Sequence, residues 1–93
     1  MGNFNAASYE NMSTALYKFS NDLYLTSSNI QSLSTVMTSE MDDDQEAASL
    51  RAEINGVILN LEELSETAKE IAAALIARKE EILSQLAQSG QAD

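Results

Sequence analysis

The chain has 93 residues, which is enough for one small domain. Its 15 acidic and 5 basic residues give a formal net charge of -10, which disfavours binding to nucleic-acid phosphates and to anionic lipid surfaces. Cysteine and histidine are both absent, which excludes disulfides, thiolate chemistry, the commonest general base and the commonest zinc ligand.

The first predicted element is a long helix from about residue 6 to residue 38. Apolar residues recur there at alternating spacings of three and four, which is the pattern of a helix that packs against another helix at a shallow angle. Only Thr26 interrupts the apolar character of the stripe. Asn5 or Ser8 is the predicted N-cap. The predicted stripe consists of Tyr9, Met12, Leu16, Phe19, Leu23, Thr26, Ile30, Leu33 and Met37.

An acidic run, "EMDDDQEAAS" at residues 40–49, follows this helix. Three aspartates, Asp42, Asp43 and Asp44, are predicted to lie at a turn over about residues 39–43 and at the start of the next helix. Carboxylates there complement the positive end of the helix dipole and accept free backbone N–H groups. A calcium loop of the EF-hand type would need glycine at its sixth position, where Ala47 stands. The run therefore predicts capping rather than a metal site.

The second predicted helix extends from about residue 43 to residue 88 and carries the same alternation of three and four. Gly90 follows the last member of the pattern, as expected near a helix C-terminus, and residues 89–93 are predicted to form a flexible tail. The predicted stripe of this helix consists of Ala47, Leu50, Ile54, Val57, Leu61, Leu64, Ala68, Ile71, Leu75, Arg78 and Ile82.

Two long helices joined by a short connection must lie antiparallel. Folding the chain near residue 42 brings the two stripes together in pairs such as Phe19 with Leu64. In the same register the large Leu16 faces the small Ala68, which favours interdigitation. The predicted fold is therefore all-α, a single antiparallel two-helix hairpin spanning residues 1–93.

A second set of apolar residues lies beside these stripes and predicts a partner. The segment "IAAALIA" at residues 71–77 is apolar all the way round the helix. A lone hairpin buries one seam only, so we expect it to pair with itself or with a homologous hairpin in a four-helix bundle. The alternative is that the alanines raise helix propensity and the tyrosines are isolated surface residues. The candidate partner-interface residues are Tyr17, Tyr24, Leu25, Val36, Ile58, Ala72, Ile76 and Leu83.

Catalysis is not expected from this sequence. Adjacent carboxylates such as Glu62 and Glu63 have no predicted cleft and no histidine, cysteine or metal-ligand partner. We therefore predict no catalytic residues, no cofactor and no metal. No apolar run reaches the ~18 residues that span a bilayer, and "MGNFNAASYENM" lacks the features of a cleaved signal peptide. The chain is expected to be made in the cytoplasm and, where it is exported, to leave without a cleaved leader.

Two segments resemble the WXG100 (ESAT-6-like) group of small secreted helical hairpins. "YENMSTALYKFSNDLYLTSSNIQSL" is similar to the first helix of that group, and "QEAASLRAEINGVILNLEELSETAKEIAAALIARKEEI" is similar to the second. The resemblance implies homodimeric or heterodimeric four-helix bundles that are exported by a bacterial type VII (ESX-type) secretion system. It implies either a secreted protein or a co-secreted partner.

Two motifs of that group are missing. "MDDDQ" stands where the Trp-x-Gly turn would be, with Met41 at the tryptophan position, and no tyrosine follows Tyr24 to form a Tyr-x-x-x-Asp/Glu export signal. These departures also fit a partner of an LXG-type toxin. They equally fit a cytoplasmic chaperone or adaptor that covers a helix of a toxin or of a type III needle subunit. A structural coiled-coil or phage assembly part is a further alternative.

Overall fold

The computed structural model describes residues 4–40 and 45–90, and over these residues it contains two α-helices and no strand. Helix α1 is Ala6–Glu40 and helix α2 is Gln45–Gly90. They pack side by side in a rod of 75 × 16 × 15 Å. The predicted all-α hairpin is confirmed. Neither described helix is long and apolar enough to cross a membrane.

The start of α1 is fixed by Asn5. Its side-chain oxygen Oδ1 accepts hydrogen bonds from the backbone N–H of Ala7 at 3.0 Å and of Ser8 at 3.4 Å. These are two of the four N–H groups that a helix leaves unpaired at its start, so Asn5 rather than Ser8 is the N-cap.

The far ends of both helices differ from the prediction. Helix α1 continues two residues past the expected end at 38, and α2 continues through Ser89 to Gly90, where a flexible tail was expected. Helix α2 begins at Gln45 in the described part of the chain. The predicted capping role of Asp42, Asp43 and Asp44 lies outside the described residues.

The seam between the helices, meaning the residues buried where α1 meets α2, keeps every second member of the predicted stripes and replaces the others by the next residue along the chain. Ser13, Ser20 and Ser27 of α1 are only 1–3% exposed, whereas the predicted Met12 and Phe19 are 55% and 47% exposed. Members such as Leu16, Leu23 and Ile30 of the predicted α1 stripe are half-buried. Helix α2 shows the same change. Its buried residues are Ala47, Ile58, Ser65, Ala68, Ala72 and Lys79.

Hydroxyl groups join the two backbones inside the seam. Ser13 Oγ donates to the carbonyl of Ala72 at 2.9 Å. Ser20 Oγ donates to the carbonyl of Ser65, and Ser65 Oγ donates to that of Ser20, both at 2.8 Å. Because a serine oxygen is only two bonds from Cα, such contacts require the two helix backbones to approach closely. Every buried side-chain nitrogen or oxygen of the described residues has a partner, so the polar seam carries no unpaired group.

These bonds also establish the register of the hairpin. Ser20 is level with Ser65. Ser13, seven residues earlier in α1, is level with Ala72, which lies seven residues later in α2. The predicted register, with Phe19 opposite Leu64, differs from this by two residues, because Phe19 is level with Glu66 in the structure. The helices therefore lie antiparallel close to the expected level, but each is rotated about its own axis by roughly half of the 100° step between successive residues.

Gly56 offers a simple test of the helix interior. It lies inside α2, and a Cβ built on it meets no atom within 4 Å. Alanine loses less backbone entropy than glycine on forming a helix, so Gly56→Ala is expected to raise the free energy of unfolding by ~0.5–1 kcal/mol. Urea titration followed by circular dichroism measures this change. A loss of stability would show that the position makes a close contact in the folded protein.

Candidate partner-binding face

One side of the hairpin carries two rows of exposed side chains that are mostly apolar. Each row recurs every seven residues, from Met12 to Leu33 in α1 and from Leu50 to Ile71 in α2, and Thr26 is the one polar member. Two antiparallel helices present such equivalent positions on one face. Met12 supports this geometry, since it lines a groove of about 240 Å³ together with Leu75 of α2. We call this surface the apolar face. It consists of Met12, Phe19 and Leu33 of α1 and Leu50, Val57, Leu64 and Ile71 of α2.

The members of the apolar face are large and strongly exposed. Their exposed fractions run from 43% at Leu50 to 62% at Leu33. By contrast, the buried apolar residues of the described chain are few and mostly small, namely Ala47, Ile58, Ala68 and Ala72. The hairpin thus buries its small side chains and leaves its large ones in contact with water. Exposed large apolar side chains grouped on one side of a small protein are typical of a partner-binding site.

Charges avoid the apolar face. Between Val57 and Leu75 of α2, no residue on this side is charged, and in α1 Asp22 is the one charged residue at its edge between Ser8 and Met37. The acidic side chains of this stretch of α2 lie on its other sides: Glu62, Glu63, Glu66 and Glu70. A partner can therefore cover the apolar face without burying a carboxylate, which would be costly.

The apolar face continues into a cavity at the open end of the hairpin. This cavity has a volume of about 630 Å³, and Phe4, Tyr9, Arg78, Ile82 and Leu86 contribute to its lining. The rings of Phe4 and Tyr9 are tilted, with centroids 5.4 Å apart. Phe4 of the N-terminal arm therefore borders the same space as Arg78 and Ile82 of α2.

The opposite side of the hairpin is different in character. Tyr17 and Tyr24 of α1 border a groove of about 340 Å³ with Lys69 of α2. The groove also reaches the buried hydroxyls of Ser20 and Ser65. This side mixes aromatic, hydroxyl and charged groups, so it is a poorer candidate for burial in a helix bundle than the apolar face.

The structure distributes the predicted interface residues over several surfaces. Ile58 and Ala72 are 7% and 0% exposed and lie in the seam, which corrects their predicted place beside it. The physical reason is the rotation of α2 about its axis, which brings small and hydroxyl side chains inward. The remaining candidates stay reachable, with Ile76 half-buried and the others exposed: Tyr17, Tyr24, Leu25, Val36 and Leu83.

A pattern in the sequence indicates the observed seam. Ala6, Ser13, Ser20, Ser27 and Ser34 recur every seven residues, and the structure buries the middle three and half-buries the outer two. A small residue at one position of every heptad allows two helices to approach closely. The apolar row of Met12, Phe19 and Leu33 masks this signal because it has the same period.

One ion pair ties the first turns of α1 to α2. Lys79 Nζ donates to the Glu10 carboxylate at 2.9 Å and lies 3.5 Å from Glu80. The hydrogen bond from Lys79 to the carboxylate of Glu10 raises the pKa of Lys79 above its ordinary value of 10.5, against the opposing effect of burial. Lys79 is therefore a charged residue inside the seam. A polar group at such a position helps to specify how the two helices are aligned along their length.

Removing this carboxylate is expected to destabilise the hairpin. Glu10→Gln keeps the shape but deletes the charge that faces Lys79, whereas Glu80→Gln deletes a more distant, exposed charge and serves as the control. Thermal melts at pH 7 should show a larger loss for Glu10→Gln. Because the pKa of Lys79 is raised on folding, the contribution is complete below pH 10.5 and is lost above it. Equal melting temperatures for the two variants would contradict this role.

The acidic residues of the described chain form no metal centre. No group of three or more Asp, Glu, His or Cys side chains that could hold an ion occurs within residues 4–40 and 45–90.

Comparison with protein families, curated proteins and solved structures found no match to this chain. The candidate site therefore rests on the geometry and charge distribution of the hairpin.

Proposed function

We propose that this chain is a non-enzymatic helical-hairpin protein that acts by binding another helical protein along its apolar face. The observation that carries this proposal is the exposure of seven large apolar side chains on one side of the hairpin, where Asp22 is the one charged residue at the edge of the α1 row. Covering them removes apolar surface from water, at about 25 cal/mol for each Å².

The setting that we propose for this interaction is a bacterial type VII (ESX-type) secretion system. The hairpin architecture, the length and the two WXG100-like segments support it. Since the chain lacks a Tyr-x-x-x-Asp/Glu motif, we propose that it leaves the cell as a folded complex with a partner that carries an export signal. In this role the protein is present in the cytoplasm before export and outside the cell afterwards.

Export is tested in a strain that has an active secretion system. The protein should appear in the culture supernatant, and deletion of the secretion ATPase should abolish its appearance. Leu64→Glu should also reduce export, because it places a charge in the centre of the apolar face. Tyr17→Glu, on the opposite face and with the same 47% exposure, is the matched control. Retention of the wild-type protein in secreting cells would refute the proposed setting.

The second candidate function is that of a cytoplasmic chaperone or adaptor for a secreted toxin or needle subunit. The observation that favours it is the cavity at the open end, where the apolar face continues past the start of α1 and a long helix of a client could lie. A chaperone stays in the cell and forms a stable complex with a single client. Recovery of that complex from cells in which export proceeds normally, with none of the hairpin outside, would favour this function.

A further inference from the structure

Acidic side chains stand beside the apolar face along α2. Glu46 and Glu53 lie four residues before Leu50 and Val57, which are members of the apolar face. Four residues of α-helix return to within about 40° of the starting direction, so both carboxylates lie at the edge of the apolar row. Asp22 holds the equivalent edge position in α1. All three acidic side chains are exposed, so they surround the face without interrupting it.

Two further carboxylates form an outer line on α2. Glu63 and Glu70 directly precede Leu64 and Ile71, so they lie about 100° round the helix from the apolar row. Both are exposed. We call the five carboxylates on this side of the hairpin the acidic border. It consists of Asp22, Glu46, Glu53, Glu63 and Glu70.

The chain does not neutralise the acidic border. The ion pairs within residues 4–40 and 45–90 engage other carboxylates, and no member of the acidic border takes part in one. Two bases lie nearby. Arg78 continues the α2 row but contacts Glu81, and Lys18 directly precedes Phe19 on the outer side of α1. The apolar face is therefore bordered by a surplus of negative charge.

The apolar face and the acidic border run side by side over the length of one long helix. The two apolar rows span residues 12–33 and 50–71, which is about 32 Å of helix in each. They lie at the same level, because Ser13, next to Met12, is level with Ala72, next to Ile71. The acidic border of α2 spans residues 46–70, about 36 Å. A single partner helix of about 22 residues can therefore contact both rows and the border together.

Charge selects among the helices that could cover this surface. A second copy of the chain brings its own net charge of -10 and its own acidic border, so like charges would meet at the edge of the contact. A helix with lysine or arginine beside its apolar row forms opposite-charge pairs there instead. Such pairs stay at the solvated rim of the contact, so no carboxylate has to be buried.

We propose that the apolar face binds an amphipathic helix of another protein, in which lysine and arginine border the apolar row. This inference rests on the proposed function, since it gives the chemistry of the partner for the same face. The bases of that helix lie over α2, against Glu53, Glu63 and Glu70, because α1 supplies Asp22 alone to the acidic border. The apolar contacts supply most of the affinity, and the charges select the partner.

Two synthetic peptides test the chemistry of the partner. Both are helices of about 22 residues with the same leucine row, and one has lysine at the positions beside that row where the other has glutamate. In titration calorimetry the wild-type chain should bind the lysine peptide at least ~10-fold more tightly. The difference should shrink as salt is added, because salt screens exposed charges. Equal affinity for the two peptides, or a preference for the glutamate peptide, would overturn the proposal.

Paired variants test where the lysine peptide binds. Glu53→Gln combined with Glu63→Gln removes two members of the acidic border. Glu62→Gln combined with Glu80→Gln removes two exposed carboxylates from other sides of α2 and leaves the same net charge. The border variant should bind the lysine peptide ~3–10-fold more weakly than the control variant does. Circular dichroism checks that both remain helical. The same affinity in both would show that overall charge attracts the peptide, and the proposed border would be wrong.

A further pair of variants separates failure of this inference from failure of the proposed function. Leu64→Ala should weaken the binding of both peptides because it removes apolar contact, whereas Tyr17→Ala, on the opposite side, should not. If Leu64→Ala weakens two peptides that the wild type binds equally, the apolar face binds helices and only the basic partner is refuted.

A wild-type chain that binds neither peptide also refutes the inference. If that chain sediments as a dimer, a second copy occupies the face instead. Neither result bears on export, which is tested independently by its dependence on the secretion ATPase.

Discussion

Replacing Ala72 by glutamate is expected to open the hairpin. Ala72 is completely buried, and its backbone carbonyl accepts the hydroxyl hydrogen bond of Ser13. A glutamate side chain there must either enter the seam as an unpaired charge or push the helices apart. Burial of an unpaired carboxylate costs several kcal/mol, which is a large part of the 5–15 kcal/mol that stabilises a typical small domain.

The neighbouring alanine provides the control for this prediction. Ala73 is exposed, so Ala73→Glu adds the same charge to the same helix without entering the seam. Thermal melts followed by circular dichroism at one protein concentration should show Ala72→Glu strongly destabilised and Ala73→Glu close to wild type. Similar melting temperatures for the two variants would mean that Ala72 does not face α1.

The sequence alone predicted the existence and length of the two helices, and their register to within two residues. A 3-4 alternation sustained over 29 residues in α1 and 36 in α2 is a strong signal, since the pattern is repeated over many turns. Asn5 at the start of the pattern was one of two caps proposed. The acidic run at the centre located the end of α1 to within about two residues.

The rotation of each helix about its axis could not be read from hydrophobicity. Leu16, Leu23 and Ile30 lie at a spacing of seven, and either Phe19 or Ser20 completes a 3-4 alternation with them. The general preference for large apolar side chains in the interior favours Phe19. The structure instead places Ser20 inside, because its hydroxyl reaches the carbonyl of Ser65 and its small volume lets the helices approach.

This rotation changes which surface is left for a partner. The predicted interface included Ile58 and Ala72, which the seam buries, and the predicted seam included Phe19 and Leu64, which are exposed. Burial against a second chain would put these large residues back in an apolar environment. On the proposed function, the hydrophobic pattern in the sequence describes the hairpin together with its partner.

The position of the seam leads to a last prediction, that Ser20→Leu will destabilise the hairpin although it adds apolar surface. Ser20 is 1% exposed, and its Oγ lies 2.8 Å from both the Ser65 hydroxyl and the Ser65 carbonyl. The larger side chain has no space between backbones at this distance, and overpacking of a tight interior costs ~1–3 kcal/mol. The substitution also removes a hydrogen bond worth ~1 kcal/mol.

Ser28→Leu is the matched control, because it makes the same exchange at an exposed position of the same helix. Urea titration should give Ser20→Leu a free energy of unfolding lower than that of wild type by ~2–4 kcal/mol, while Ser28→Leu should change it by less than ~0.5 kcal/mol. If the seam instead contained Phe19, as the hydrophobic pattern favours, Ser20 would face outward and the two leucine variants would behave alike. The difference between them therefore measures which row of α1 faces α2.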